Sequence, residues 1–399
     1  MNSNDELRKE NQSSLELQNT QRKFFERLHS NKREKKGLLG FSFNESNEEK
    51  EREGGRKEGE EWDVQRGKYS QTVYRGHSSG VKMAVYSSDG KSVVSASLDG
   101  VVRLWSPQVE EEGERAEERK RNVEEKSGEK SFQCNSQVSS VCWEVKSNRY
   151  VLCGTESGKV KLWEVLQNKI VGDVFVSSAY PKIKALAVNP TKNSFVVASE
   201  KSKGQGSLTL WDLKTLNCTR HFEIEPPSSL NCVSFNHNGN LLAVGGEDGI
   251  VRVYDISETC AILGWKVWEG RGETKGVTSS KGVTSVSFSE DEMSVLCVSS
   301  SGALSKWSVH EVGSVLQNYL SPPLSPFSPP SNLALESSGK RFVVGFNDTA
   351  YLYSSQDSHH LLTVTGHSAP ITHCDWNPFS PHFLTSSLDS TVRISSIKN

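Results

Sequence analysis

Residues Ser95–Ser106 read SASLDGVVRLWS, a polar turn containing glycine followed by alternating apolar residues that end in tryptophan. The same form recurs six times further along the chain, as GTESGKVKLWEV, GQGSLTLWDL, GGEDGIVRVYDI, SSSGALSKWSV, GFNDTAYLYS and SSLDSTVRISS. Its final position is occupied by Trp105, Trp163, Trp211, Tyr254, Trp307, Tyr353 and Ser395, at intervals of 42 to 58 residues. These intervals are close to the period of about 40–45 residues that is typical of repeats with four strands.

Each repeat also has an earlier half, in which apolar and polar residues alternate on both sides of a tight turn. Examples are VKMAVYSSDGKSVVSAS, which begins at Val81, and LNCVSFNHNGNLLAVGG, which begins at Leu230. Alternation with a period of two indicates β-strands, and Ser-Asp-Gly and His-Asn-Gly favour the turn between them. Seven such units predict an all-β fold, a seven-bladed β-propeller that occupies residues 67–399.

The first repeat contains a set of residues at the spacing of the hydrogen-bonded set that ties the blades of WD-repeat proteins together. In this chain the set is Gly76-His77, Ser95, Asp99 and Trp105. We expect Asp99 to accept a hydrogen bond from His77, which in turn reaches Ser95. The serine is expected to reach the indole N–H of Trp105. A His-Ser-Asp set also occurs in hydrolases, but no Gly-x-Ser-x-Gly elbow accompanies this one.

The other repeats keep this set only in part. The aspartate is replaced by Ser157, Gln205 and Ser301 in three of them. Partial loss is expected of a set that stabilises repeats, whereas catalysis would not require repeats at all. Residues at equivalent positions are therefore also predicted to be structural, namely Trp163, Trp211, Asp248 and Trp307.

The two ends of the repeat region are predicted to meet. The last repeat finishes at Val392–Ile397. In a WD-repeat propeller each sequence repeat supplies three strands of one blade and the outer strand of another. We therefore expect Tyr69–Tyr74, just before Gly76-His77, to be the outer strand of the last blade, which leaves no open edge in the ring.

The region of residues 1–66 has a different composition and is predicted to be an N-terminal extension. Leu17, Gln21, Phe24 and Leu28 share one side of a possible amphipathic helix over residues 5–35. This helix either associates with itself or a partner, or is solvated on all sides. Residues 44–66 are rich in charges of both signs and are predicted to be a disordered linker.

Three insertions interrupt the repeat period. Residues 107–131 are almost wholly charged and are predicted to form a mobile loop. Residues 264–282 contain Trp265 and Trp268, which either mark an interface or pack on their own blade. Residues 316–331 contain SPPLSPFSPP, which either binds an SH3- or WW-type domain or forms a rigid loop.

The composition argues against several classes of protein. The 49 acidic and 47 basic residues nearly cancel, so the chain has no overall attraction to nucleic acid or an anionic membrane. Without an apolar run of about 18 residues or an apolar segment near its start, neither a membrane-spanning helix nor a secretory signal is expected. The eight cysteines form no C-x-x-C pair and are predicted to be reduced core residues of a cytosolic protein.

No motif in the sequence indicates an enzyme. It contains neither a phosphate-binding Gly-x-x-x-x-Gly-Lys-Ser/Thr loop nor a His-Glu-x-x-His zinc motif. The pair His359-His360 lacks spaced carboxylates and is predicted to be a surface turn. We therefore expect a non-enzymatic binding protein without a metal or cofactor.

The chain resembles the WD repeat-containing protein 91 family over roughly residues 69–399. The unit Leu230–Ile256, LNCVSFNHNGNLLAVGGEDGIVRVYDI, carries this resemblance, and Ser95–Ser106, Tyr180–Pro190, Leu208–Leu216 and Gly366–Trp376 add to it. The ending LDSTVRISSIKN also fits, because that family has hydroxyl residues where the last Trp-Asp pair is expected.

The resemblance implies an effector role at endosomes. The family's propeller engages a late-endosomal Rab GTPase in its GTP form, works with a sister WD-repeat protein, and restrains phosphatidylinositol 3-kinase activity as early endosomes become late endosomes. We therefore expect a cytoplasmic scaffold, peripheral at early and late endosomes, that binds neither nucleic acid nor the membrane interior. Family members have a long helical N-terminal region, whereas about 68 residues precede the propeller here, so self-association and kinase contacts are not implied for this chain.

Four residues are candidates for contacting a partner. The loops that enter the innermost strands surround one mouth of a propeller's channel, and here they carry Arg75, Tyr180, Lys182 and Lys281. Aromatic and basic residues suit the acidic effector surface of a small GTPase; the alternative is an ordinary solvated rim. A different function, as a ubiquitin-ligase substrate receptor or a subunit of a nuclear complex, would use the same fold.

Overall fold

The structure, a computed structural model, describes five stretches of the chain: residues 69–107, 130–201, 204–267, 282–322 and 330–397. These stretches form 28 β-strands, and none of their residues lies in an α-helix. The predicted helix at residues 5–35, the linker at 44–66 and most of the 107–131 insertion lie outside the described residues. So do Trp268 and Lys281.

The strands assemble into seven four-stranded antiparallel sheets, each of which is one blade of a propeller. Blade 1 contains β2 (Val81–Tyr86), β3 (Val93–Ser97), β4 (Val101–Trp105) and β5 (Lys130–Gln133), and blade 2 contains β6 (Val138–Trp143), β7 (Tyr150–Thr155), β8 (Lys159–Glu164) and β9 (Lys169–Phe175). Blade 3 contains β10 (Lys182–Val188), β11 (Ser194–Glu200), β12 (Gly206–Asp212) and β13 (Cys218–Phe222), and blade 4 contains β14 (Leu230–Phe235), β15 (Leu241–Gly246), β16 (Ile250–Asp255) and β17 (Leu263–Lys266). Blade 5 contains β18 (Val283–Phe288), β19 (Ser294–Ser299), β20 (Leu304–Ser308) and β21 (Val315–Tyr319), and blade 6 contains β22 (Leu333–Leu335), β23 (Arg341–Phe346), β24 (Thr349–Ser354) and β25 (His360–Val364). Blade 7 combines β26 (Ile371–Trp376), β27 (His382–Ser387) and β28 (Thr391–Ile397) with β1 (Tyr69–Arg75).

The blades form a closed ring because the first strand of each blade contacts the first strand of the next. These contacts run from β2 through β6, β10, β14, β18, β22 and β26 and return to β2. The middle strands are covered on both sides by neighbouring blades, so β3, β15 and β19 are buried along their whole length. The outermost strand β9 instead alternates between exposed and half-buried residues. The fold is therefore the predicted seven-bladed propeller.

The hydrophobic core lies in layers between adjacent blades. One such layer joins Leu152 and Leu162 of blade 2 to Ile183, Phe195 and Trp211 of blade 3. Because every layer needs two blades, a single blade has no core of its own and is stable only within the ring.

The ring closes where the two ends of the described region pair. β1 lies antiparallel to β28 in a continuous register from Tyr69 opposite Ile397 to Arg75 opposite Thr391. The predicted outer strand at Tyr69–Tyr74 is confirmed and extends one residue further. Closure in this way removes the open edge between the first and last blades.

The turns between the first and second strands of the blades interlock at one face of the ring. Asparagine side chains make most of these links, since an amide both donates and accepts. The bonds are Asn377 Nδ2 to the Gly90 carbonyl at 2.9 Å, Ser88 N to Asn148 Oδ1 at 3.0 Å, Asn189 Nδ2 to the Gly239 carbonyl at 2.7 Å and Asn238 N to Glu292 Oε1 at 3.1 Å. The turns on this face therefore hold neighbouring blades together. The opposite face carries the loops that enter the innermost strands.

The boundaries of all three predicted insertions are wrong, and residues 130–131 of the first belong to β5. Residues 264–266 belong to β17, and residues 316–319 belong to β21. Trp265 is only 6% exposed and lies with its ring centroid 6.4 Å from that of Trp307 on the next blade. β17 is only four residues long and β21 is largely exposed, so both resemble loops in the sequence.

Candidate functional site

In blade 1 a chain of hydrogen bonds runs from the loop before β2 to the end of β4. Trp105 Nε1 donates to Ser95 Oγ at 2.7 Å, and His77 Nε2 lies 2.7 Å from the same oxygen. Asp99 Oδ2 lies 3.4 Å from His77 Nδ1. Because Ser95 Oγ already accepts from the indole, its own proton is directed to Nε2, and the Nδ1 proton of His77 is directed to Asp99. The structure brings together all four residues of the predicted set.

The environment of this set does not suit catalysis. Burial lowers the pKa of His77 to about 4, although the carboxylate of Asp99 opposes the shift. Burial would raise the pKa of Asp99, but the backbone N–H groups of Val101 and Ser78 hold it below its usual range. Ser95 is fully buried and both of its hydrogen bonds are spent inside the blade. No substrate reaches such a hydroxyl, so the set holds the loop onto the blade.

A second set of this kind lies in blade 7, where the sequence analysis did not place one. His367 Nδ1 lies 2.8 Å from Asp389 Oδ2, and His367 Nε2 lies 2.8 Å from Thr385 Oγ1. The signal was present, since a Gly-His pair precedes both sets and the intervals from histidine to hydroxyl and to aspartate are 18 and 22 residues in each. Ser395 stands in place of the tryptophan, which hid the relationship.

Two of the predicted tryptophan anchors use acceptors on their own strands. Trp211 Nε1 donates to Thr209 Oγ1 at 2.9 Å, and Trp307 Nε1 donates to Ser305 Oγ at 2.6 Å. Each acceptor lies two residues earlier on the same strand. These indoles therefore do not tie two strands together as Trp105 does.

Trp163 differs again, because its Nε1 donates to Asn168 Oδ1 at 3.2 Å in the turn after β8. The cause is the residue on the second strand of the blade that pairs with the residue two positions before the tryptophan. In blade 1 this residue is Ser95, which offers a hydroxyl. In blades 2, 3 and 5 this position is occupied by Cys153, Val197 and Cys297. Because this position of the second strand has no hydroxyl in blades 2, 3 and 5, each indole donates to an acceptor nearby in the sequence.

Asp248 is paired with an arginine in place of a histidine. Arg252 Nη2 lies 2.6 Å from Asp248 Oδ2, and its Nη1 lies 3.3 Å from Oδ1. Arg252 is 1% exposed and also donates to the carbonyls of Glu225 and Pro226. A bidentate, fully hydrogen-bonded pair of this kind tolerates burial. Arg252 thus joins the loop before β14 to the blade, as His77 does in blade 1, and the sequence analysis missed it.

The innermost strands share one irregularity at the end nearest their entry loops. In six of them the register shifts by one residue at the same place, which leaves a β-bulge. The bulge residues, here called the bulge ring, are Lys82, Ser139, Lys184, Asn231, Thr284 and Thr372. Bulges re-aim side chains and often lie beside functional sites. Equivalent positions on innermost strands surround the channel of a propeller, so the bulge ring marks one mouth.

Lysines concentrate on one side of this mouth. Lys182 Nζ lies 3.6 Å from Glu156 Oε1, and Lys184 Nζ lies 3.1 Å from Glu200 Oε2. Lys82 is exposed to solvent, and within the described part of the chain no carboxylate lies within 4.0 Å of its ammonium group. Protein surrounds this concave position, so burial lowers the pKa of Lys82, with Glu156 opposing and Lys184 and Lys182 reinforcing the shift.

Comparison with known families agrees with this architecture. The family model described as WD domain, G-beta repeat matches residues 68–106, 216–255 and 358–394. The chain therefore contains WD repeats. Propellers of this family are protein-interaction scaffolds, and the described residues have that architecture.

Two relatives of this WD-repeat chain carry the name WD repeat-containing protein 91. The chain is 31% identical to the WD repeat-containing protein 91 homolog of Dictyostelium discoideum over 334 residues, and 28% identical to WD repeat-containing protein 91 of Danio rerio over 367 residues. The matches cover 82% and 83% of this chain but 40% and 47% of those relatives, so the chain spans less than half of their length. The family resemblance predicted from the sequence is confirmed over the matched region.

The structure separates the predicted partner-contacting residues of this WD-repeat propeller. Lys182 begins the innermost strand β10, at the mouth. Tyr180 lies two residues earlier and lines a shallow pocket of about 310 Å³ with His221, Phe222 and other residues of the same blade and the loop that follows it. Arg75 ends an outermost strand of blade 7 and is exposed on the outer rim. The candidate mouth therefore keeps Lys182 and gains Lys82, which the sequence analysis did not select.

The cysteines do not form a metal or disulfide framework in the described part of the chain. All eight are unpaired, and no group of three or more His, Cys, Asp or Glu side chains there is placed to hold a metal ion. Cys260 is exposed, so the prediction that all eight are core residues is wrong for this one, which lies in the turn before β17. Among the same residues no helix suited to crossing a membrane is found.

Proposed function

We propose that this WD-repeat propeller is an effector scaffold that binds a late-endosomal Rab GTPase in its GTP form. The observation that carries the proposal is the similarity to WD repeat-containing protein 91, which extends over 82% of the chain. The lysines at the mouth add a complementary charge for an acidic effector surface. The interlocked turns occupy the opposite face, which makes the mouth the better docking face.

The proposed setting follows from the same resemblance. The protein acts in the cytoplasm, peripherally at early and late endosomes, together with a sister WD-repeat protein during endosome conversion. A fluorescent fusion of the chain should overlap with markers of both endosome classes. Capture of cullin adaptors or chromatin subunits in place of endosomal proteins would favour the alternative function as a substrate receptor or nuclear subunit.

The test of the effector proposal is capture of purified Rab GTPase by the immobilised chain. The GTP-loaded form should be retained, and the GDP-loaded form should not. Lys182→Glu should weaken capture several-fold, because it reverses a charge at the mouth. Its pairing with Glu156 is solvent-exposed, so the melting temperature should change little.

Lys214→Glu is the matched control for this experiment. Lys214 is an exposed lysine of the same blade, in the turn between β12 and β13 at the opposite end of the strands. Equal capture of both nucleotide forms by the wild-type chain would contradict the effector function. Nucleotide-dependent capture that Lys182→Glu and Lys214→Glu weaken equally would contradict only the choice of face.

A further inference from the structure

Five members of the bulge ring have a partner within the described part of the propeller, and one member does not. Its hydroxyl and amide members all bond to backbone carbonyls: Ser139 to Gly154 at 3.1 Å, Asn231 to Val283 at 3.2 Å, Thr284 to Val298 at 3.2 Å and Thr372 to Val81 at 2.7 Å. Lys184 is paired with Glu200. Lys82 is the member for which the described chain supplies no partner within 4.0 Å. In four other blades the residue at this position bonds to a backbone carbonyl.

We propose that Lys82, together with Lys182 and Lys184 on the far side of blade 2, forms a carboxylate-binding site that takes an acidic side chain of a protein partner. This inference rests on the proposed scaffold function, since it names the chemistry by which the mouth recognises its partner. It assigns the central contact to Lys82, on blade 1, rather than to the loop residues of the rim.

The placement of the charges supports the site. Lys82 lies on β2 and the other two lysines on β10, with blade 2 and its Glu156 between them. The three ammonium groups face two carboxylates, those of Glu156 and Glu200, so one positive charge is uncompensated. That charge lies in a concave mouth, where an ion is less well hydrated and gains more from a partner than on an open surface.

The same charges select the class of anion. Glu156 and Glu200 border the site and would repel a phosphate group, which carries nearly two negative charges at neutral pH. A carboxylate carries one charge and matches the single uncompensated ammonium group. A glutamate or aspartate of an extended peptide segment is therefore favoured over a phosphorylated residue or a lipid phosphate.

The repulsion between the three lysines indicates a role in binding rather than in folding. Burial and the two neighbouring lysines lower the pKa of Lys82, and Glu156 opposes the shift. Lys82→Gln removes the charge and keeps most of the side chain's length. A binding role predicts that this variant melts at the same temperature as the wild type or above it, whereas a structural role predicts a lower melting temperature.

The experiment is the binding of fluorescein-labelled hexaglutamate to the purified full chain, followed by fluorescence anisotropy at low ionic strength. The wild type should bind it measurably and should not bind the hexaglutamine peptide. Lys82→Gln should weaken binding by about tenfold, as expected for loss of one charge-assisted interaction. Lys91→Gln, at an exposed lysine in the turn at the other end of the same strand pair, should bind as the wild type does.

Three results would overturn the proposal. These are equal affinity of Lys82→Gln and the wild type, equal weakening by Lys91→Gln, and displacement of the peptide by inorganic phosphate at a lower concentration than by free glutamate at matched ionic strength. The peptide assay contains no GTPase. Loss of nucleotide-dependent Rab capture with intact Lys82-dependent peptide binding would therefore contradict the effector function and leave the carboxylate site standing.

Discussion

His77 and His367 take the same part in two blades that are neighbours across the closure of the ring. The first lies in the loop that follows β1, and the second lies in the blade to which β1 belongs. In the described chain these are the two blades that carry the complete histidine, hydroxyl and aspartate set. Other blades rely on local acceptors for their indoles. The two complete sets thus stand in the blades where the chain ends are held together.

Trp105 should be the most costly of these residues to remove. It is 3% exposed, and Tyr74 packs edge-on at 5.8 Å between ring centroids. Trp105→Ala should lower the free energy of unfolding by about 3–5 kcal/mol, since it leaves a large cavity. Chemical denaturation measures the effect, and a variant as stable as the parent would contradict the anchoring role.

A double-mutant cycle separates the hydrogen bond of Trp105 from its packing. Trp105→Phe and Ser95→Ala should show a coupling energy of about 1 kcal/mol, because the indole donates to that hydroxyl. Trp163→Phe with Ser95→Ala is the control pair, since Trp163 donates to Asn168. The effects of these two substitutions on the free energy of unfolding should be additive.

Among the elements, the seam between β26 and β2 joins the last blade to the first through polar side chains. Asp375 Oδ2 accepts a hydrogen bond from Tyr86 N at 2.7 Å, and Thr372 Oγ1 donates to the Val81 carbonyl at 2.7 Å. Burial raises the pKa of Asp375 to about 7, although the backbone N–H groups of Tyr86 and Trp376 oppose the shift. A carboxyl group in this seam therefore makes the joint between the last and first blades sensitive to pH.

The sign of this sensitivity follows from where the proton is held. Between about pH 4 and pH 7 the folded protein keeps a proton on Asp375 that the unfolded chain has lost, so stability falls as the pH rises through this range. Asp375→Asn stays neutral and still accepts from Tyr86 N. Its free energy of unfolding should exceed that of the wild type by a margin that grows from about pH 5 to pH 8 and reaches on the order of 2 kcal/mol, and its melting temperature should be higher by a margin that grows in the same way.

Melting curves of both proteins at several pH values provide this test. The buried histidines, including His77 and His373, whose pKa values burial lowers to about 4, titrate in both proteins and largely cancel in the difference. A difference that stays constant across the range would show that Asp375 is already ionised in the folded protein at low pH.

At the scale of the whole molecule, stability depends on closing the ring. β28 pairs with β27 on one side and with β1 on the other, so it joins the two ends of the repeat region. Deleting residues 391–399 should remove both sets of strand pairs and expose the core layer around Leu384 and Tyr74. We expect the melting temperature to fall by more than about 10 °C, or the chain not to fold, because each kcal/mol lost shifts melting by a few degrees.

Deleting only residues 398–399 is the matched control, because β28 ends at Ile397. This shorter deletion should leave the melting temperature unchanged. If the longer deletion also left it unchanged, closure through β1 and β28 would not contribute to stability.

The seven repeats and their order are local properties, and the sequence alone was enough to predict them. Alternation with a period of two and Ser-Asp-Gly or His-Asn-Gly turns specify strand pairs without reference to the rest of the chain. The blade 1 set was predictable for the same reason, since His77, Ser95, Asp99 and Trp105 keep a fixed spacing. The outermost strands β17 and β21 were not, because β17 has only four residues and β21 is exposed along most of its length.

The tertiary structure decided which residues share the mouth of the channel. Lys82 and Lys184 are about a hundred residues apart in sequence, and only the ring of blades places both at bulges around one mouth. The bonds that join Arg252 to the loop before β14 likewise depend on the folded path of that loop. Strand formation follows the local pattern of side chains, whereas charge clusters depend on distances between blades, which no local pattern encodes.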